Sequence, residues 1–187
     1  MSIESTAVPT ITDLELFRGF TAAEIEQVTR NSPCLTLNAG DKLFTAGEMD
    51  RAIFVLVRGS VRIELTDVAE SDATLAELNA ISVFGESNFF HNHPHQTNAI
   101  CTSEVEVLRF DRATYENWLQ MGDVLAYKLG ANAAEILASR LDQTDRWVKS
   151  TLHKEETDHA RKAWRDFRSH MTSRFSTRSR MGFTGGT

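Results

Sequence analysis

Residues 37–63, LNAGDKLFTAGEMDRAIFVLVRGSVRI, decide the fold of this chain. They contain short runs rich in Val, Ile, Leu and Phe, and the glycines Gly40, Gly47 and Gly59 separate these runs. A tight turn between short strands often needs a positive φ, which glycine adopts at little cost. The stretch therefore predicts several short antiparallel strands joined by glycine turns.

The same pattern of short apolar runs separated by turn residues extends on both sides of this stretch, from residue 34 to residue 110. Further apolar runs occupy residues 75–78 and 99–110, and breaks fall at Gly85 and at residues 92–94. Strands that recur about every eight to twelve residues with turns between them are typical of sandwiches, jelly rolls and barrels. They argue against alternating βαβ units.

The flanking segments have helical patterns. Thr21 followed by Glu24 forms a capping box that predicts a helix start, and Pro33 ends this N-terminal piece. From Asp123 to about residue 170 the chain has no proline, and apolar residues recur at helical spacing. They are Leu125, Leu129, Ala133, Leu137, Leu141, Val148 and Leu152. A small roll cannot cover so long a helix, so we expect a homodimer through this stripe.

Residues 37–63, together with Val83-Phe84-Gly85-Glu86, resemble the cyclic-nucleotide-binding domain family over about residues 14–119. The resemblance implies a mainly β fold with flanking helices: a double-stranded β-helix jelly roll followed by a long C-terminal helix. We expect a flexible N-terminus at 1–10 and the roll with its N-terminal helices at 11–119. A long helical region for dimerisation should follow at 120–172, and a disordered basic tail at 173–187.

The resemblance also implies a ligand site, because the FGE run resembles the opening of the family's phosphate-binding cassette. Gly85 would let the backbone approach the sugar-phosphate, Glu86 would accept a hydrogen bond from the ribose 2′-hydroxyl, and the amides of residues 86–90 would face the phosphate. The expected ligand is cyclic AMP or cyclic GMP, with no other cofactor. The candidate ligand-binding residues are Phe84, Gly85, Glu86, Ser87, Asn88, His95, Gln96 and Thr97.

One departure from the family pattern concerns the phosphate. Members that bind cyclic nucleotides place an arginine about nine or ten residues after the glutamate, where this chain has His95 and Gln96. A charge-assisted hydrogen bond contributes roughly 1.5 to 3 kcal/mol, so we expect binding weakened about ten- to hundredfold. A protonated His95 would restore charge, so affinity should rise as the pH falls from about 7.5 to 6.

From the sequence alone, the run His91, His93 and His95 has three interpretations. It is an exposed polar loop, or His95 partly replaces the arginine, or alternate histidines on a strand bind a metal. Cupin enzymes, which share the double-stranded roll, use a similar HxH pair, but Pro94 disfavours a regular strand here. We assign no metal ligands.

Charge is unevenly distributed along the chain, whose formal net charge is −6. Residues 1–148 hold 11 Lys/Arg against 22 Asp/Glu, whereas residues 149–187 hold 9 against 4. The basic tail is therefore the candidate contact for a protein partner, a membrane surface or a nucleic acid. Only one helical piece follows the roll, so we expect no helix-turn-helix and no sequence-specific DNA binding.

Several classes are disfavoured by what the sequence lacks. No apolar run is long enough to cross a bilayer, and the N-terminus has no signal-peptide pattern, so we expect a cytoplasmic protein. Cys34 and Cys101 have no metal-ligand spacing, and we expect both to be buried. Without a catalytic motif, the preferred function is a non-enzymatic regulatory sensor or adaptor. The alternatives are a nucleotide-independent dimeric scaffold of the same fold and a cupin-like metalloprotein.

Overall fold

The computed structural model describes residues 10–66 and 74–154, without the side chains of Trp147 and residues 151–154. Within these residues, the 3-10 turns Ile11–Asp13 and Glu15–Phe17 and helix α1 (Ala22–Arg30) precede eight strands. The strands are β1 (Cys34–Leu37), β2 (Lys42–Phe44), β3 (Ala52–Arg58), β4 (Ser60–Leu65), β5 (Thr74–Asn79), β6 (Ser82–Phe84), β7 (Thr97–Cys101) and β8 (Val105–Asp111). Helix α2 (Glu86–Phe90) lies between β6 and β7, and helices α3 (Arg112–Gln120) and α4 (Val124–Lys154) follow β8.

The strands form two four-stranded antiparallel sheets, in the orders β1-β8-β3-β6 and β2-β7-β4-β5. Apart from the consecutive pair β4-β5, neighbouring strands in each sheet are not consecutive in sequence, as a jelly roll requires. This confirms the predicted mainly β jelly roll with a long helix after it. The chain divides into two compact units, residues 1–138 and 139–187, so α4 begins in the first unit and ends in the second.

Strand β3 lacks the usual alternation of apolar and polar residues because both of its faces are covered. Ala52, Phe54 and Leu56 belong to the core between the two sheets. Ile53 and Val55 belong to a second core, which lies under the helices. A strand that is buried on both faces has a continuous apolar sequence, which explains why residues 52–57 are all apolar.

The second core fixes the helices on the β1-β8-β3-β6 sheet. Leu125, Leu129 and Ala133 of α4 are fully buried in it, together with residues of α1 and α3. The expected dimer stripe is therefore wrong in its first half, because those leucines already pack inside their own chain. Asn132 of the same helix donates to the carbonyl oxygens of Leu16 and Arg18 at 2.9 and 2.8 Å.

The N-terminal helix follows its capping box. Glu24 N donates to Thr21 Oγ1 at 3.2 Å, and Thr21 N donates to a Glu24 carboxylate oxygen at 2.7 Å. Lys128 of α4 also binds the Glu24 carboxylate at 2.7 Å, and these hydrogen bonds lower the pKa of Glu24 to about 2. The start of α1 is thus tied to α4.

Two local expectations need correction. Residues 99–110 form two strands rather than one run, because a turn at residues 102–104 packs against Gly59, whose φ is +85°. A side chain at Gly59 would overlap the Glu104 carbonyl oxygen. Cys101 is buried as expected, but Cys34 is exposed because β1 forms one edge of its sheet.

Three expectations lie wholly or largely outside the described residues: the flexible N-terminus, the part of the long helical region beyond residue 154 and the disordered basic tail at 173–187. Among the helices of the described ranges, none is both long and apolar enough to span a bilayer.

Candidate functional site

The candidate site begins at the end of β6, where the chain turns into α2. Gly85 caps the helix with φ +88° and ψ −5°, a left-handed conformation. A Cβ at this position would lie 2.6 Å from the Ala52 carbonyl oxygen and 3.0 Å from Phe54 Cδ2. Glycine is therefore needed here both for its backbone conformation and for the close approach to β3.

Helix α2 directs two polar side chains inward. Glu86 is 1% exposed and Asn88 is 7% exposed, whereas Ser87 between them faces solvent. Asn88 Nδ2 donates to the His93 carbonyl oxygen at 2.8 Å, which fixes the following loop on the helix. The carboxylate of Glu86 lies in the first turn, where the helix dipole favours negative charge.

The loop after α2 places His95 inside the roll. His95 is 4% exposed, and its ring stacks on Phe44 with centroids 3.9 Å apart and planes 9° apart. Its backbone is fixed on both sides, because His95 N donates to Glu48 O at 2.9 Å and Gly47 N donates to His95 O at 2.8 Å. Gln96 is exposed, and Thr97 begins β7 opposite Leu65.

An aromatic cluster connects His95 with the start of the cassette. The rings of Phe44, Phe54 and Phe84 lie 5.3 to 6.3 Å apart, and all three belong to the core between the sheets. His95 stacks on one side of this cluster, and Gly85 lies against Phe54. The structure thus brings Phe84, Gly85 and His95 to one cluster, while Gln96 points away into solvent.

Electrostatics at His95 favour the neutral ring. Burial lowers its pKa, while the carboxylates of Asp50 and Glu48 and a hydrogen bond to the Asp50 backbone oppose that shift, and His93 adds to it. Protonation therefore needs a lower pH than for an ordinary histidine. Among the described residues, Nε2 of His95 has no hydrogen-bond partner.

The three histidines of the HxHxH run lie in different surroundings. His91 is exposed, His93 is half-buried with its ring 4.5 Å from that of His91, and His95 is buried. His93 Nδ1 lies 2.7 Å from the Pro94 carbonyl oxygen. In residues 10–66 and 74–154, no three His, Cys, Asp or Glu side chains are grouped so as to hold a metal.

The sequence did not indicate how the cassette contacts the helices. Phe89 and Phe90 of α2 pack edge-on against Tyr115 of α3, with ring centroids 5.3 and 5.9 Å apart. The Arg112 guanidinium lies over all three of these rings, at 4.8 to 5.7 Å. A Cβ at Gly130 of α4 would lie 2.6 Å from the Tyr115 hydroxyl. The only sequence signal was the aromatic pair that follows the FGE run.

Comparison with known proteins identifies the class. Residues 34–121 match the model of the cyclic nucleotide-binding domain family, and this part of the chain belongs to that family. The match contains the cassette, His95 and the aromatic cluster.

Several of the similar proteins come from bacteria. The chain is 25% identical over 130 residues to a cyclic AMP receptor protein of Thermus thermophilus, an alignment that covers 70% of this chain and 58% of that protein. The fold is shared with the Thermus thermophilus catabolite activator protein (TM-score 0.66, 22% identity, 74% of this chain and 63% of the other). It is also shared with the N-terminal domain of a Streptomyces coelicolor transcriptional regulator. That comparison has a TM-score of 0.62 and 22% identity, and it covers 72% of this chain and 93% of the other.

Proposed function

We propose that this chain is a non-enzymatic regulatory sensor of the cytoplasm, in which a ligand at the Gly85–Glu86 cassette changes the packing of α3 and α4. The observation that carries the proposal is the cassette geometry. A left-handed glycine leads into a short helix whose first-turn glutamate is buried, in a roll that belongs to the cyclic nucleotide-binding domain family.

The binding step uses both hydrogen-bond acceptors and hydrogen-bond donors of the cassette. The buried Glu86 carboxylate accepts hydrogen bonds from a sugar hydroxyl, and the amides at the start of α2 face an anion or a polar oxygen. No Lys or Arg occurs in the sequence between Arg62 and Arg109. A cyclic phosphate would therefore meet no cation from this part of the chain. Arg51 lies at the cassette helix, but its Nη2 already donates to the Phe89 carbonyl oxygen at 3.2 Å, so cyclic nucleotides should bind weakly.

The signalling step uses the contact between the cassette helix and α3. A shift of α2 moves Phe89 and Phe90 against Tyr115, and Tyr115 lies in close contact with α4 at Gly130. Ligand binding changes this arrangement only if the ligand prefers one packing over the other. Close-packed aromatic side chains transmit such a preference because they have no space for gradual adjustment.

The test is a thermal-shift titration with cyclic AMP and cyclic GMP. A ligand at about a hundred times its Kd adds roughly 2.7 kcal/mol of stability, so millimolar nucleotide should raise Tm by several degrees. Glu86→Gln, which keeps the shape of the side chain, should remove this rise, because the amide replaces one acceptor oxygen with a donor. Ser87→Ala, on the exposed side of the same helix, is the matched control and should leave the rise intact.

If no nucleotide raises Tm in the unmodified protein, cyclic nucleotide binding is refuted, and the nucleotide-independent scaffold gains support. That second candidate has its own observation: α4 carries an exposed face at positions 124, 127, 131, 134 and 138. Val124 and Tyr127 on this face are 53% and 60% exposed. Alternating steps of three and four residues are the spacing of a coiled-coil seam, so this face would join two copies.

A further inference from the structure

The buried side chain of His95 lies where two loops of the roll meet. One loop follows the cassette helix and consists of residues 91–96, and the other joins β2 to β3 and consists of residues 45–51. The backbone of His95 connects them, because its N–H donates to Glu48 O and its carbonyl oxygen accepts from Gly47 N. Its ring is 4% exposed and stacks on Phe44 at the end of β2. The contact between the loops therefore depends on a buried, titratable ring.

Protonation of this ring would leave a hydrogen-bonding group without a partner. A neutral histidine has one N–H group and a protonated histidine has two, so Nε2 is a donor in the charged form whichever tautomer precedes it. Among the described residues, Nε2 of His95 has no hydrogen-bond partner. A buried charge with an unsatisfied donor is costly, so the protonated ring is more stable in water than in this place.

The two carboxylates that act on the ring each have another partner. Glu48 Oε2 accepts a hydrogen bond from Thr45 N at 2.9 Å, and Asp50 Oδ1 lies 2.5 Å from the guanidinium of Arg109. Both carboxylates favour a charged His95, but the positive charge of Arg109 offsets part of the effect of Asp50. Neither carboxylate is therefore a free counter-ion for a protonated ring.

Burial has the larger effect on the ring. It lowers the pKa of His95 below the ordinary value of 6.5, and the neighbouring His93 lowers it further, while the two carboxylates only partly oppose the shift. A protonated ring would be attracted to the face of Phe44, but this attraction is weaker than the cost of burying an ion without a partner. The ring of His95 is therefore either buried and neutral or protonated and exposed to water.

We propose that His95 is an acid-sensitive switch: the neutral ring holds residues 91–96 on residues 45–51, and the protonated ring leaves Phe44 and opens this contact. The proposal does not depend on a ligand at the cassette. Because residues 91–96 directly follow α2, acid would loosen the segment next to the cassette.

The pH range of the switch follows from its two states. In the open state the ring is in water and has an ordinary pKa of about 6.5, whereas in the closed state burial lowers its pKa. The closed contact has its full stability above about pH 6.5 and loses it as the pH falls toward the lower pKa. Within this range the ratio of open to closed molecules should rise about tenfold per pH unit.

Amide hydrogen exchange followed by NMR tests the switch on the whole chain. Protection factors, which correct for the intrinsic pH dependence of exchange, should fall up to about tenfold for the Gly47 and His95 amides between about pH 6.5 and 5.5. The Val55 amide in the middle of β3 should show no such fall. His95→Phe keeps a ring on Phe44 that does not titrate, so protection at Gly47 should become independent of pH. His91→Phe, at an exposed position of the same loop, should retain the fall.

Titration of the ring proton on Cε1 covers the case in which His95→Phe does not fold. In the unmodified protein this resonance of His95 should titrate below pH 6.5, over the same range in which protection of the Gly47 amide is lost. Protection that does not change with pH, or a ring that becomes protonated without loss of protection, would overturn the proposal. The same fall in a folded His95→Phe variant would also overturn it.

Discussion

At the scale of single residues, Gly85 is subject to two constraints, a positive φ and a lack of space for a Cβ. Gly40 is subject only to the first. Both glycines have positive φ, +88° and +91°, but a Cβ at Gly40 would meet nothing within 4 Å, whereas one at Gly85 would overlap the Ala52 carbonyl oxygen. A left-handed alanine costs about 1 to 3 kcal/mol, and overlap in a packed core costs about 1 to 3 more.

Gly85→Ala should therefore lower the free energy of unfolding by roughly 2 to 6 kcal/mol, and Gly40→Ala by about 1 to 3 kcal/mol. Urea unfolding followed by circular dichroism measures both. Equal losses in the two variants would show that α2 does not approach β3 as closely as described.

His95 shows where residue-level prediction from the sequence ended. The spacing from Glu86 indicated His95 or Gln96 as the position to examine, but only the fold distinguishes them. His95 is buried beside Phe44, and Gln96 is exposed. Burial lowers the pKa of His95, so the increase in cyclic nucleotide affinity expected toward pH 6 should appear only at lower pH. That expectation assumed an ordinary pKa.

At the scale of elements, local patterns predicted what local chemistry determines. The Thr21–Glu24 capping box gave the start of α1, and the runs that glycines separate in residues 37–63 predicted the short antiparallel strands found there. The division of residues 99–110 into β7 and β8 was missed, because the turn at 102–104 depends on packing against Gly59. Such a contact is distant in sequence.

In helix α4, too, the local sequence pattern did not predict contacts between residues that are distant in sequence. Its leucine spacing correctly predicted one long helix, but spacing alone does not tell which face packs on the roll. The structure buries Leu125, Leu129 and Ala133, and leaves Val124 and Tyr127 exposed. The roll is therefore covered by the first half of the stripe that the sequence had suggested for the dimer, whereas Leu141 of its second half is 58% exposed.

At the scale of the whole molecule, the exposed face of α4 predicts self-association. Tyr127 is 60% exposed, and Val124, Ala131 and Ala134 flank it on the same face. Tyr127→Asp should shift a dimer to a monomer at tens of micromolar, because it places an unpaired charge in the seam. Light scattering coupled to gel filtration measures this.

Leu125→Ala is the contrasting variant, since that side chain is buried in its own chain. It should lower stability by about 2 to 5 kcal/mol and leave the association of the folded protein intact. A monomeric unmodified protein, or a Tyr127→Asp variant that stays dimeric, would rule out this seam.

The central claim is that the cassette binds a ligand and transmits the event to the helices. The most direct measurement is amide hydrogen exchange of the whole chain with and without saturating cyclic AMP, repeated with Glu86→Gln. Ligand should slow exchange in residues 84–90 and change it in α3, where Tyr115 contacts Phe89 and Phe90, and Glu86→Gln should cancel both effects. Protection at the cassette with no change in α3 or α4, or no protection at the cassette, would contradict the account.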